Sequence, residues 1–145
     1  MTSRNAGDLT PSQKAHRTAK WARTMTKWLV TYTNRSGARW NLIDFGGAKG
    51  SESRGVVDVL AIRKDHRTEI AGLKRGDAFE IVLIQTKGGT SRRPTSTDIE
   101  RLRRVAKRHH ARAIVLAEWR SGKSLDLYQL HRSEWRSVTP EDVFG

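Results

Sequence analysis

Two apolar runs constrain the fold of this chain more than any other feature. Residues 56–62 have the sequence VVDVLAI and residues 79–87 have the sequence FEIVLIQTK. Both runs are apolar enough for strands that are covered on both faces of a sheet. A turn near Gly72 would join them as an antiparallel hairpin with a longish loop. The fold must therefore place helices on both sides of this hairpin.

Helical and strand patterns flank the hairpin. A capping-box spacing from Thr10 to Gln13, with Pro11 at the first helical position, predicts a helix over residues 11–33. A second capping-box spacing, from Thr97 to Glu100, predicts a helix that ends near His110. Further strands are predicted over residues 40–45, 113–119 and 125–130, and the tail beyond residue 135 is left unassigned.

The predicted element order is α-β-β-β-α-β-β, which is typical of an α/β fold with a mixed central sheet flanked by helices. The link from the third strand through the second helix to the fourth strand has the length of a crossover connection. A chain of 145 residues has the size of one domain. We therefore expect a flexible segment over residues 1–10 and a single domain over residues 11–145.

The charge balance points to a polyanionic partner. The chain has 28 Lys and Arg against 15 Asp and Glu, a formal net charge of +13, and this excess is spread along the sequence. Such a surface binds nucleic acid because each neutralised phosphate releases counterions. The absence of cysteine excludes disulfides, thiolate zinc sites and thiol catalysis. With no apolar run of about 20 residues and no secretion signal, we expect no membrane partner and a cytoplasmic, nucleic-acid-associated protein.

Polar residues interrupt both apolar runs near one end of the predicted hairpin. A turn near Gly72 places Asp58 opposite Gln85, and Gln85 and Lys87 share a face because strand side chains alternate. Cross-strand β-carbons are about 5 Å apart and diagonal ones about 7 to 8 Å apart. We therefore expect the three groups to converge. Glu80 is excluded because seven residues of strand span about 23 Å, which puts it at the opposite end.

These groups suit phosphodiester hydrolysis. Asp58 could bind Mg²⁺, with Mn²⁺ as a substitute, and Gln85 or the main-chain carbonyl of Thr86 could supply a further oxygen. The metal would acidify a water molecule, and Lys87 could orient that water or stabilise the developing charge. This hypothesis requires the Asp58 carboxyl and the Lys87 amine to lie on the same side of the sheet. The alternative is an ion pair inside the sheet that holds no metal.

The pattern resembles the core of the PD-(D/E)XK nuclease superfamily over residues 11–119. The resemblance is carried by Asp58, the strand ending in Gln85-Thr86-Lys87 and the helix after it. The approach GSESRGVVD over residues 50–58 is similar to that in archaeal-type Holliday junction resolvases. The resemblance implies a restriction-endonuclease-like fold, Asp58 as the metal-binding aspartate and Lys87 as the motif lysine.

The chain departs from this family pattern at two places. Gln85 stands where the family usually has Asp or Glu, although glutamine variants are known in restriction-type members. The first helix lacks the glutamate that many members carry, and Glu52 is a candidate to replace that charge.

Three functions remain open from the sequence. The first is a metal-dependent DNA endonuclease, with a Holliday junction as one candidate substrate and a homodimer implied by its two cuts. The second is a non-catalytic DNA- or RNA-binding module on the same scaffold, and the third is a restriction-type or toxin nuclease. Side chains expected to contact branched or duplex DNA are Lys49, Ser51, Ser53, Arg54, Arg92, Arg93, Arg101 and Arg104.

Overall fold

A computed structural model of the chain describes residues 10–33, 39–46, 55–66, 71–89, 92–120 and 124–145. The elements are α1 (Pro11–Thr33), β1 (Asn41–Asp44), β2 (Val59–Lys64), β3 (Phe79–Gly88), α2 (Ser96–Arg108), β4 (Ala113–Trp119), β5 (Leu125–His131), β6 (Glu134–Val138) and α3 (Pro140–Phe144). The strands form one sheet in the order β1-β2-β3-β4-β5-β6. Of the described strands, only β3 and β4 pair in parallel. The predicted α/β class with a mixed sheet and flanking helices is confirmed.

The β2–β3 hairpin has the predicted register. Val59 pairs with Ile84 and Lys64 pairs with Phe79, so Asp58 precedes the first paired residue of β2 and lies next to Gln85. Glu80 pairs with Arg63 at the far end of the hairpin, as its position along the strand predicted.

Each face of the sheet packs against its own core. Val82 and Ile84 of β3 pack with Val30 of α1 and with Phe144 of α3, and we call this side the α1 face. Leu83 of β3 packs with Leu102 of α2 and with other apolar residues of that side, and we call this side the α2 face. Because strand side chains alternate, even-numbered residues of β3 point to the α1 face and odd-numbered residues to the α2 face.

Several details of the sequence interpretation are wrong. The capping box of α2 is formed by Thr95 and Asp98, not by Thr97. The strand β6, which begins at Glu134, and the helix α3 occupy the tail that received no assignment. They escaped notice because β6 is short and mostly polar, and because a non-glycine residue with positive φ, Arg132, forms the turn before it.

The tryptophans differ in burial. Trp40 is buried, Trp119 and Trp135 are partly buried, and Trp21 and Trp28 are exposed on α1. Among the described residues, no helix combines the length and the apolar character that a membrane span requires.

Gly88 marks a close approach of α1 to the end of β3. A β-carbon at this position would lie 2.7 Å from Thr18 Cγ2 and 2.9 Å from the Thr18 carbonyl oxygen. We expect Gly88→Ala to lower the free energy of unfolding by about 1 to 3 kcal/mol, because α1 has to shift. Denaturant unfolding measures this loss. In the background of Thr18→Ala most of the loss should persist, since the clash with the backbone oxygen remains, and an unchanged stability of Gly88→Ala would contradict the close packing.

Candidate functional site

Asp58 lies just before β2, where the β2–β3 ladder ends. Its Oδ2 accepts hydrogen bonds from the Thr86 backbone N–H at 2.7 Å and from the Thr86 hydroxyl at 3.2 Å. Its own N–H donates to the Ile84 carbonyl at 3.0 Å, and its carbonyl accepts from the Phe45 N–H at 2.9 Å. The side chain thus takes the place of the next backbone partner of Thr86, which fixes the carboxyl at the end of the strand.

The electrostatics of Asp58 distinguish it from the other acids of the sheet. Burial raises the pKa of Asp58, and this effect outweighs the lowering by the two Thr86 hydrogen bonds and by the positive charge of Arg23. The nearby charge of Asp44 raises the pKa further. No described cation forms an ion pair with Asp58, so the nearest influence of a positive charge on this partly buried carboxyl is that of Arg23 without direct contact.

Asp44, at the end of β1, is the second carboxyl near this point. Its Oδ2 accepts from Lys27 Nζ at 2.9 Å, and its Oδ1 lies 3.2 Å from Arg23 Nε and accepts from the Gly46 N–H at 2.8 Å. Burial alone raises the pKa of Asp44, but the hydrogen bonds from Lys27 and Gly46 and the charges of Lys27 and Arg23 bring it below its usual value. Asp44 is therefore ionised and neutralised by two cations of α1.

The predicted convergence of Asp58 with Gln85 and Lys87 is corrected by the structure. The Asp58 carboxyl bonds to Thr86 on the α1 face, whereas Gln85 and Lys87 project to the α2 face. Lys87 Nζ donates to the Gly89 carbonyl at 3.1 Å and lies 4.0 Å from Glu118 Oε1. Gln85 Oε1 is buried without a hydrogen-bond partner in the described part of the chain. The register was predicted correctly, but the carboxyl turns toward Thr86. The hydrolysis hypothesis in the form that needs Lys87 beside Asp58 is therefore wrong.

The described residues offer a smaller set of magnesium ligands than the sequence predicted. They contain no group of three or more His, Asp and Glu that could hold a metal. What they offer is the Asp58 carboxylate, whose Oδ1 accepts no hydrogen bond from the described residues. The main-chain carbonyl of Thr86 points to the same side of β3 as its N–H, which is the side on which Asp58 lies. Magnesium is commonly held by one or two carboxylates together with waters and substrate phosphate. The Asp58 carboxylate and the Thr86 carbonyl suit such an ion. Gln85, which projects to the other face, is not one of its ligands in this arrangement.

The predicted DNA-contacting residues fall into two groups. Arg92, Arg93, Arg101 and Arg104 are exposed, the first two before α2 and the others on it. Lys49, Ser51, Ser53 and Arg54 lie outside the described residues, as do Glu52, the candidate acid of the metal site, and most of the segment 1–10.

Sequence reasoning missed four charged residues that the structure brings to the ends of β1 to β4. They are Arg23, Lys27, Asp44 and Glu118. An acid at the end of a predicted strand, followed closely by a glycine, was an available signal for Asp44. The cations of α1 gave no such signal, because basic residues occur on several faces of that helix.

Comparison with solved structures gives a structural likeness. The chain is similar to the solved structure of a Holliday junction resolvase from the archaeal hyperthermophile Archaeoglobus fulgidus, with a TM-score of 0.44 and 12% sequence identity over 87% of this chain and 98% of that chain. No family model matches the chain, and no curated protein matches it. Its function therefore has to follow from its own side chains.

Proposed function

We propose that the protein binds DNA and hydrolyses its phosphodiester backbone at Asp58. The observation that carries this proposal is a partly buried carboxyl with a raised pKa and no ion pair among the described residues. Burying an acid without a cationic partner costs stability. Asp44, Glu80 and Glu118 are all ion-paired, whereas the partly buried Asp58 has no ion pair among the described residues. Such groups cluster at functional sites.

Residues on the α1 face have separate roles in the proposed reaction. Thr86 orients the Asp58 carboxyl through its N–H and hydroxyl, and this leaves Oδ1 for a metal. Asp58 would hold a magnesium ion, and the chemistry that such an ion supplies when bound is to acidify a water molecule and to offset charge on a substrate phosphate. Lys27 and Arg23 lie on the same face and take the phosphate-stabilising role that the sequence assigned to Lys87.

The substrate class follows from the charge of the chain. A net charge of +13 on 145 residues favours a polyanion, and exposed arginines at α2 extend the basic surface beyond the Asp58 site. We propose branched or duplex DNA as the substrate and a homodimer as the form that cuts a symmetric four-way junction, since such a junction needs two cuts.

A second candidate, a non-catalytic nucleic-acid-binding module, is favoured by a specific observation. Asp58 and Lys87 occupy opposite faces, and the described residues hold no group of three metal-ligating side chains. This candidate predicts salt-sensitive binding that magnesium does not strengthen and that leads to no cleavage.

A cleavage panel separates the two candidates and identifies the reactive face. Four-way junction, duplex, single-stranded DNA and RNA are incubated with the protein in magnesium, in manganese and in chelator. We expect cleavage of DNA that chelator abolishes. Lys27→Ala should lower the rate at saturating substrate by about 10²-fold, the scale of removing one charge-stabilising group. Lys87→Ala and the matched α1 control Lys20→Ala should each lower it by less than about 10-fold.

Each other result of the panel has a definite meaning. Binding without cleavage of every substrate supports the second candidate and removes the nuclease proposal. A large loss of cleavage rate in Lys87→Ala, together with full activity in Lys27→Ala, would show that the cation that stabilises the phosphate lies on the α2 face. That result would overturn the assignment of this role to α1.

A further inference from the structure

Glu118 lies at the end of β4 on the α2 face, surrounded by cations from three parts of the chain. Its Oε1 is 3.2 Å from Arg120 Nη2 and 4.0 Å from Lys87 Nζ, and its Oε2 is 3.3 Å from Arg93 Nη2. Only 6% of the Glu118 side chain is exposed. The buried carboxylate therefore gathers Lys87 from β3, Arg93 from the segment before α2 and Arg120 from the end of β4. We call Lys87, Arg93, Glu118 and Arg120 the Glu118 cluster.

The cluster contains more positive charge than its acid needs. Burial raises the pKa of Glu118, but Lys87, Arg120 and Arg93 together bring it below its usual value, so the carboxylate is ionised. One cation would neutralise it, and three are present. Asp126, the cross-strand neighbour of Glu118, is the other acid in register, and the group still carries an excess positive charge.

The two arginines contact Glu118 and yet remain about half exposed to solvent. Each guanidinium uses Nε and Nη2 on Glu118, and the exposed fractions of the Arg93 and Arg120 side chains are 44% and 52%. The Arg93 guanidinium carbon also lies 4.6 Å from the ring centroid of Tyr128, a cation–π contact that favours this position of the side chain. A guanidinium has five donors in a fixed fork that matches phosphate oxygens. Donors that Glu118 does not use remain available to an incoming anion.

We propose that the Glu118 cluster is a binding site for a backbone phosphate of DNA, and that Glu118 is the positioning residue that orients its cations. The cluster lies at the same end of the sheet as Asp58 but on the other face, so a strand that crosses this end can contact both. The inference rests on the DNA-binding part of the proposed function and does not require cleavage.

Binding measurements in chelator test the site without any cleavage. The dissociation constant for duplex DNA is measured against salt concentration for Arg93→Ala, Arg120→Ala and the double variant. Each single variant should weaken binding about 3- to 10-fold and reduce the salt slope by about 1, because one phosphate contact is lost. The matched control is Arg136→Ala, an exposed arginine on the edge strand β6, which should change the affinity by less than about 2-fold.

Glu118→Gln distinguishes a positioned site from a patch of general positive charge. Removing a negative charge raises the net charge of the protein, so a patch that acts only by its charge would bind DNA more tightly. If Glu118 orients the arginines, the variant should bind about 3-fold more weakly despite its higher charge. Thermal unfolding of each variant confirms that the fold is retained, and Arg93→Lys should recover part of the affinity that Arg93→Ala loses.

The outcomes separate this inference from the nuclease proposal. Wild-type affinity and salt slope in both arginine variants, or tighter binding by Glu118→Gln, would overturn the phosphate site even if the protein cleaves DNA. Weaker binding in those variants together with an inactive wild-type protein would leave the phosphate site standing and remove the nuclease.

Discussion

Replacing Asp58 with asparagine is expected to lower DNA cleavage by about 10³-fold or more while the protein stays folded. Removing a group that stabilises transition-state charge costs about 10² to 10³ in rate, and loss of the metal-binding carboxylate should lie at the upper end of that range. Asparagine has the same shape and can still accept from Thr86, so the hydrogen bonds at the strand end are retained. Single-turnover cleavage at saturating enzyme measures the effect without interference from binding.

The same substitution should raise the stability of the protein at neutral pH. Since burial raises the pKa of Asp58 above its ordinary value of 3.8, its contribution to stability is present at low pH and is lost as the pH rises through the folded-state pKa. The asparagine side chain does not ionise. The free energy of unfolding of Asp58→Asn should therefore rise relative to that of the wild type as the pH rises above about 4. Denaturant unfolding at pH 3 and pH 7 measures this difference.

Asp77→Asn is the matched control, because Asp77 is exposed in the loop before β3. It should retain cleavage and show no comparable rise in stability relative to the wild type. A destabilised but active Asp58→Asn protein would show that this carboxyl is structural, and the assignment of Asp58 to the reaction would then fail.

Glu80→Gln should lower the free energy of unfolding by about 3 to 5 kcal/mol, the scale of breaking a buried ion pair by removing one partner. Glu80 Oε2 lies 2.7 Å from Arg63 Nε and Oε1 lies 3.4 Å from Arg112 Nε, and only 4% of the Glu80 side chain is exposed. Arg63 also stacks on Trp40 at 4.2 Å from the ring centroid and donates to the Gly145 carbonyl at 3.2 Å. Losing the acid therefore leaves two cations together and loosens the attachment of α3.

Urea unfolding followed by circular dichroism measures this loss, with Glu100→Gln as the control because Glu100 is exposed on α2. The control should stay within about 0.5 kcal/mol of the wild type. A loss below about 1 kcal/mol in Glu80→Gln, close to what a surface pair contributes, would contradict a supporting role for this network. The Asp58 site lies at the other end of the hairpin, so the cleavage rate of folded Glu80→Gln protein should remain near that of the wild type.

The sequence predicts the central part of the fold well because apolar patterning and turn position determine it. The hairpin register, α1 and β4 all follow from such patterns. It does not predict which way a side chain turns at a strand end. Asp58 precedes the first paired residue of β2. Its carboxyl accepts hydrogen bonds from the Thr86 N–H and hydroxyl and therefore lies on the α1 face. That preference depends on local hydrogen bonds, which strand alternation alone does not describe.

The sequence likewise does not predict which acidic and basic side chains form ion pairs. Lys27 and Asp44 come from different elements that meet only through the packing of α1 on the sheet. Glu118 and Arg93 meet only because β3 and β4 pair in parallel. Spacing along the chain identifies groups on one element, but partners from distant segments require the tertiary fold.

The parallel pairing of β3 with β4 has a consequence for the order of folding. The strands β1 to β3 and the strands β4 to β6 each form an antiparallel ribbon of sequence neighbours, which can assemble from local contacts. Among the described strands, the two ribbons pair with each other only across β3 and β4, and the chain passes from one ribbon to the other through a connection that includes α2. Lys87 and Glu118 face each other across this joint, so their contact forms only in molecules whose halves have docked, and isolated halves lack it.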